Sequence, residues 1–127
     1  MIVGIGTDIT EIERIREALD RSGDRLLARV LTKQELKLLE GMADPVITVA
    51  GRWAAKEAVA KALGTGFGAE CTWQDVEILR NPQGAPFVTL HGLGAQTAAN
   101  LGIARIHVSI SHERSYAIAY AVAESAS

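Results

Sequence analysis

Apolar and polar positions recur along this chain at two different periods, and the changes of period mark its elements. Residues 2 to 9 set Ile2, Val3, Ile5 and Ile9 among glycines, the pattern of a strand. The spacing then changes: Ile12, Ile15 and Leu19 fall on one helical stripe, and Gly23 is the stop signal for that helix. Thr32-Lys33-Gln34-Glu35 has the Thr-x-x-Glu order of a capping box, so a second helix starts there. Gly41 and Pro45 bracket its end. Residues 46 to 63 are rich in alanine and hold Trp53, Val59 and Leu63, with Gly51 as the breaker, which predicts a helix of high propensity. Gly64-Thr65-Gly66-Phe67-Gly68 ends it in what the composition predicts to be a mobile loop.

Residues 73 to 80 read as a strand through Val76, Ile78 and Leu79. Asn81-Pro82-Gln83-Gly84 is a turn, and Pro86 to Leu90 is the returning strand. Residues 92 to 101 read as a short helix with His91 at its start. The last quarter alternates strictly. Ile106, Val108 and Ile110 point one way, and His107, Ser109 and Ser111 the other. After a turn near Glu113-Arg114, Tyr116, Ile118, Tyr120 and Val122 form one face of a final strand. Ala117, Ala119 and Ala121 form its other face. The expected fold is α+β, an antiparallel sheet packed on one long helix.

Composition narrows the classes. The 127 residues fit a single domain, 1–127, and 48% hydrophobic content is enough for a core. No repeat, low-complexity tract or dividing linker interrupts it. No apolar run approaches the roughly 20 residues that span a bilayer. The apolar start of the chain meets Asp8 almost at once, so it does not read as a secretory leader. The expected location is the cytoplasm, and Cys71, the one cysteine, agrees with a reducing compartment. No nucleophile motif surrounds it. The net charge of −2 excludes a global nucleic-acid footprint. Residues 14 to 33 nevertheless carry Arg14, Arg16, Arg21, Arg25, Arg29 and Lys33 against Glu17, Asp20 and Asp24. That local excess is either a solvated helical face or a patch for an acidic partner.

Three segments carry candidate chemistry. In Gly4-Ile5-Gly6-Thr7-Asp8, a carboxylate near a strand end, reached through glycines, can face a site that backbone and ligand approach closely. Asp8 suits a hard cation such as Mg²⁺, which uses one or two carboxylates plus substrate phosphates. The alternative is a helix N-cap or first-turn aspartate. In Arg52-Trp53-Ala54-Ala55-Lys56-Glu57-Ala58-Val59-Ala60-Lys61, Glu57 and Lys61 share a helical face, with Trp53 one turn before Glu57. The alternative is a surface ion pair. In His107-Val108-Ser109-Ile110-Ser111-His112, an imidazole and two hydroxyls on one strand face suit a phosphate, or line a plain solvent-facing sheet.

Taken together, these segments resemble the holo-acyl-carrier-protein synthase family of 4′-phosphopantetheinyl transferases. Gly4 to Ile9 with Glu11, Ile12 and Arg14 is similar to its opening strand. Arg52 to Ala58, followed by Lys61-Ala62-Leu63-Gly64-Thr65-Gly66, is similar to its signature helix and loop. Ile106 to His112 is similar to its C-terminal strand. Arg29 to Glu35 resembles its Arg-x-Phe-Thr-x-x-Glu stretch, with Leu31 in place of the aromatic. The order and spacing run over essentially the whole chain.

The resemblance implies the small phosphopantetheinyl transferase fold, a homotrimer with a site at each subunit interface, and a role in fatty acid biosynthesis. The reaction it implies moves 4′-phosphopantetheine from coenzyme A to a serine of apo-acyl carrier protein and releases adenosine 3′,5′-bisphosphate. Asp8 and Glu57 would hold Mg²⁺; Glu57 or a metal-bound water would be the base, and Lys61 would stabilise the leaving group. Arg52, Lys61, Gly64, Gly66, His107, Ser109 and Ser111 would contact coenzyme A. Arg14, Arg21 and Arg25 would receive the acidic helix of the carrier protein. No membrane or nucleic-acid partner is expected. A binding module without catalysis and a magnesium-dependent phosphohydrolase are the rival readings.

Overall fold

The computed structural model describes residues 1–126. The elements run β1 (Ile2–Glu11), α1 (Ile12–Val30), α2 (Lys33–Leu39), α3 (Val46–Ala62), β2 (Val76–Arg80), β3 (Pro86–Leu90), α4 (Gly92–Asn100), β4 (Ile103–His112) and β5 (Tyr116–Ser125). The antiparallel strands form a three-stranded sheet of order β1-β5-β4 and a separate β2-β3 hairpin. The α+β expectation holds, with the strands divided between two sheets.

Helix α3 is the axis of the core. Its Ala50, Ala54, Ala55, Ala58 and Val59 are fully buried, and so are Ala117, Ala119, Ala121 and Ala123 of β5. These two small-residue faces meet, so the helix lies unusually close to the sheet. The β1 glycines serve this approach. A Cβ on Gly4 would stand 2.0 Å from the Ala62 carbonyl oxygen, and one on Gly6 would stand 1.9 Å from that of Ala58. Gly4 and Gly6 therefore make room for helix backbone, where the sequence alone pointed to room for a ligand.

Three local expectations change on inspection. Gly23 bends helix α1 instead of ending it: its φ of 34° and ψ of −114° are non-helical, yet helical turns continue to Val30. The strand expected over 73 to 80 begins at Val76, because Trp73–Asp75 form a 3₁₀ turn in which the Asp75 carboxylate accepts the Thr72 N–H at 2.9 Å. Asp8 is no helix cap, since β1 runs on to Glu11 and Glu11 occupies the cap position. The capping box at Thr32 forms as its sequence predicts, with the Glu35 N–H donating to the Thr32 hydroxyl and the Thr32 N–H to the Glu35 carboxylate.

Candidate active site

Strand alternation decides where Asp8 points. Asp8 pairs with Ala119, whose side chain is wholly buried, so it faces α3 with Gly4, Gly6 and Thr10. Its side chain is 16% exposed. The Thr10 hydroxyl donates to one carboxylate oxygen at 2.6 Å, and the Lys61 ammonium lies 3.4 Å from the other. Lys61 also donates to the Thr7 carbonyl at 3.0 Å, which draws the last turn of α3 to the middle of β1.

Glu57 stands one turn before Lys61 and is half-buried. Burial pushes its carboxyl above the usual glutamate range, the Asp8 charge adds to that, and Lys61 opposes it. Asp8, Glu57 and Lys61 thus form one electrostatic unit, drawn from two segments about fifty residues apart. Two carboxylates that repel one another favour a divalent cation between them, and this pair suits Mg²⁺. Among the described residues no group of three or more His, Cys, Asp or Glu side chains is assembled. A cation here would therefore complete its shell with phosphate oxygens and water.

A cavity of about 310 Å³ opens beside Asp8, lined also by Thr10, Trp53 and, from α1, Arg14 and Arg21. Two of the predicted docking arginines therefore border the cavity that holds the acidic residue. Arg25 is exposed and lies beyond the Gly23 bend, outside that lining.

Gly64 and Gly66 follow the helix with φ of 81° and 62°, and both N–H groups bond back to α3 carbonyls at 2.9 and 3.2 Å. Gly64 is the left-handed residue after the helix cap, a conformation other residues reach at a cost. Among the described residues, chain neighbours aside, no atom lies within 4 Å of where a Cβ on either would sit, so the loop leaves room there for a ligand.

The remaining predicted contacts do not gather around Asp8 within one chain. Arg52 is 3% exposed, and its Nε lacks a hydrogen-bond partner among the described residues. Burial, followed by the charge of Arg80, lowers its pKa, and Glu35 acts the other way. His107, Ser109 and Ser111 lie opposite Val122, Tyr120 and Ile118, on the sheet face turned away from α3. The His107 ring is 3.0 Å from the Glu124 carboxylate. Cys71 is buried with its pKa pushed up to about 11, first by burial and then by Asp75, which suits an inert thiol.

Sequence reasoning missed Lys56. Its ammonium is wholly buried, 2.7 Å from the equally buried Glu35 carboxylate, and donates to the Trp73 carbonyl at 3.0 Å. Full burial of a lysine one residue before Glu57 has no local signal, because the partner that permits it lies on another helix.

The family model for the 4′-phosphopantetheinyl transferase superfamily matches residues 4–121. The chain is 44% identical over 124 residues to the holo-[acyl-carrier-protein] synthase of Koribacter versatilis, covering 98% of this chain and 99% of that one. It is 49% identical over 124 residues to the enzyme of the same name from Shewanella denitrificans, covering 98% of each. The fold matches the crystal structure of holo-[acyl-carrier-protein] synthase from Neisseria meningitidis with a TM-score of 0.91, 35% identity and coverage of 98% and 99%. It matches the Helicobacter pylori enzyme in complex with coenzyme A with a TM-score of 0.84, 34% identity and coverage of 94% and 99%. With the motifs in order along nearly its full length and the fold agreeing, the chain belongs to the holo-[acyl-carrier-protein] synthase family of the 4′-phosphopantetheinyl transferase superfamily.

Proposed function

We propose that this protein transfers 4′-phosphopantetheine from coenzyme A to a serine of an acyl carrier protein, in support of fatty acid biosynthesis. The observation that carries the reading is the unit of Asp8, Glu57 and Lys61 beside a cavity bordered by Arg14 and Arg21. It puts groups for phosphate chemistry next to groups for an acidic protein. A structure of the Bacillus anthracis family member is described as a complex with CoA (3′,5′-ADP), which agrees with coenzyme A as co-substrate here.

Asp8 and Glu57 would hold Mg²⁺, which when bound neutralises phosphate charge as the transfer proceeds. The serine oxygen forms a bond to the phosphorus that carries pantetheine, and the bond from that phosphorus to the bridging diphosphate oxygen breaks. Glu57, directly or through a water, takes the serine proton. Lys61 faces the charge that develops on the departing adenosine 3′,5′-bisphosphate. The open backbone at Gly64 and Gly66 would lie against the cofactor. Arg14, Arg21 and, more peripherally, Arg25 would receive the acidic carrier helix.

Arg52 and the His107, Ser109 and Ser111 face would serve the cofactor from positions that one chain holds apart from Asp8. A homotrimer removes that difficulty for His107, Ser109 and Ser111, because the outward sheet face of one subunit can then border the Asp8 site of the next. The apolar residues exposed around His107 support such an assembly: Ile5, Ile9 and Tyr120 are all more than half exposed. Among the described residues no helix is long and apolar enough to cross a membrane.

The test is the intact mass of an apo-acyl carrier protein incubated with this protein, coenzyme A and Mg²⁺. The expected result is a gain of one phosphopantetheine, lost with EDTA and in folded Asp8→Ala and Glu57→Ala variants. No gain with several carrier proteins, despite tight binding of coenzyme A, would favour a non-catalytic binding module. Release of phosphate from coenzyme A without an acceptor would favour a phosphohydrolase.

A further inference from the structure

Where α3 lies closest to β1 and β5, most of the contact is between small side chains and backbone. Alanine faces glycine and alanine there, and burial of apolar surface is not directional, so the Lys61 bond to the Thr7 carbonyl and the packing of Ile106, Val108 and Ile110 supply what orientation the sheet side gives. The Glu57 unit nevertheless needs α3 in one rotation. A directional contact exists on the other side of the helix. The Lys56 ammonium and the Glu35 carboxylate are both fully buried at 2.7 Å. One oxygen of Glu35 also accepts the Thr32 N–H at 2.8 Å, and the other accepts the Ile78 N–H at 2.8 Å. Lys56 spends a second proton on the Trp73 carbonyl at 3.0 Å. One salt bridge thereby ties α3 to the start of α2, to β2 and to the 3₁₀ turn.

The tie reaches the cavity by two routes. Lys56 and Glu57 are neighbours on a rigid helix, about 100° apart around its axis, so fixing one side chain's direction fixes the other's. The second route is aromatic. Trp73 stacks on Phe67 with ring centroids 4.1 Å apart and meets Trp53 at 4.5 Å, and Trp53 lines the cavity with Asp8. A buried pair contributes little net stability when replaced as a unit by apolar groups, whereas it can select one packing arrangement over others.

We propose that Lys56, clamped by the Glu35 carboxylate and the Trp73 carbonyl, is a positioning residue for the transfer, setting the rotation of α3 that aims Glu57 at Asp8 and holding Trp73 behind Trp53. The role rests on the transfer reading above. It differs from a folding role in that it requires lost turnover in a protein that still folds and still binds coenzyme A.

The experiment compares wild type, Lys56→Met and Glu35→Gln/Lys56→Met. The double variant leaves no buried carboxylate without its cation. Measured are kcat and KM for coenzyme A, secondary structure by circular dichroism, and tryptophan emission in metal-free protein. Both tryptophans of the chain belong to this cluster, so emission reports on the clamp directly. The expected result in the folded double variant is a fall in kcat of at least about tenfold, as small misplacements of reacting groups produce. KM for coenzyme A should change by less than about threefold, because uniform binding is retained. Emission should shift to the red. A smaller fall in kcat, or a loss confined to KM, overturns the proposal. So does failure of both variants to fold, which would assign the pair to folding alone. If wild type itself transfers nothing, the transfer reading fails, and an unshifted emission spectrum in the variants then overturns the clamp as well.

Discussion

At the scale of single residues, the site sets stability against chemistry. Glu57 holds its proton more tightly in the folded protein than in the unfolded chain, since burial and then Asp8 raise its pKa. Its contribution to stability is therefore full below the ordinary glutamate pKa and lost as pH rises through the raised value. At neutral pH the metal-free protein carries that cost. Glu57→Gln removes it, so the metal-free variant should melt higher than wild type at pH 7. The half-open site screens the charges, which keeps the gain on the order of 1–2 °C. The gain should vanish near pH 4, and phosphopantetheine transfer should fall by about 100-fold or more. Mg²⁺ should raise the melting temperature of wild type more than that of the variant. A variant that melts lower than wild type at pH 7 would contradict this account. Glu57 and Lys61 were legible in the sequence because four residues on a helix bring two side chains together whatever else the chain does. The Lys56–Glu35 pair was not, because its meeting depends on how α2 packs against α3.

At the scale of elements, the closest helix-sheet approach gives a sharp expectation. Gly6→Ala would put a methyl 1.9 Å from the Ala58 carbonyl oxygen, and backbone cannot swing away as a side chain can. The variant should lose more than about 2 kcal/mol of unfolding free energy in a denaturant titration. A loss below that would mean that α3 can lift from β1. Helix α1 carries a different expectation. Arg14 and Arg21 reach the cavity from one face, seven residues apart, before the Gly23 bend turns the chain. Arg14→Glu/Arg21→Glu should raise KM for the carrier protein by about tenfold or more at low salt and by less at high salt, with KM for coenzyme A unchanged. An unchanged carrier KM at low salt would refute the docking assignment. Element existence was readable from the periodicity. The bend at Gly23 was not, because a glycine can end a helix or let it turn, and tertiary packing decides between them.

At the scale of the whole molecule, the three-stranded sheet is covered on one face only. On β1 and β5 the inner face under α3 is built largely of glycine and alanine, and the larger apolar side chains of these two strands point away from the core, whereas β4 turns Ile106, Val108 and Ile110 inward. The sequence showed both faces of β5 and did not say which was inner, since alternation is symmetric until something is packed on one side. Bulk would ordinarily mark the buried face; here the need for a close helix reversed it. Ile5 opposite Val122, Thr7 opposite Tyr120 and Ile9 opposite Ile118 make a continuous apolar strip. His107, Ser109 and Ser111 run along its edge on β4. A strip of that kind on a sheet is costly to leave in water and invites a second copy of the chain. Because the candidate cofactor contacts lie beside it, assembly and catalysis should fail together. Tyr120→Glu puts a charge in the middle of the strip, on the sheet face opposite to the one that carries Asp8. Sedimentation should find wild type as a trimer and the variant as a monomer, still folded by circular dichroism. The monomer should lose transfer by about 100-fold or more while retaining Asp8, Glu57 and Lys61 in place, as expected of a site completed across an interface. A monomeric variant with full activity would confine the site to one chain and remove His107, Ser109 and Ser111 from it.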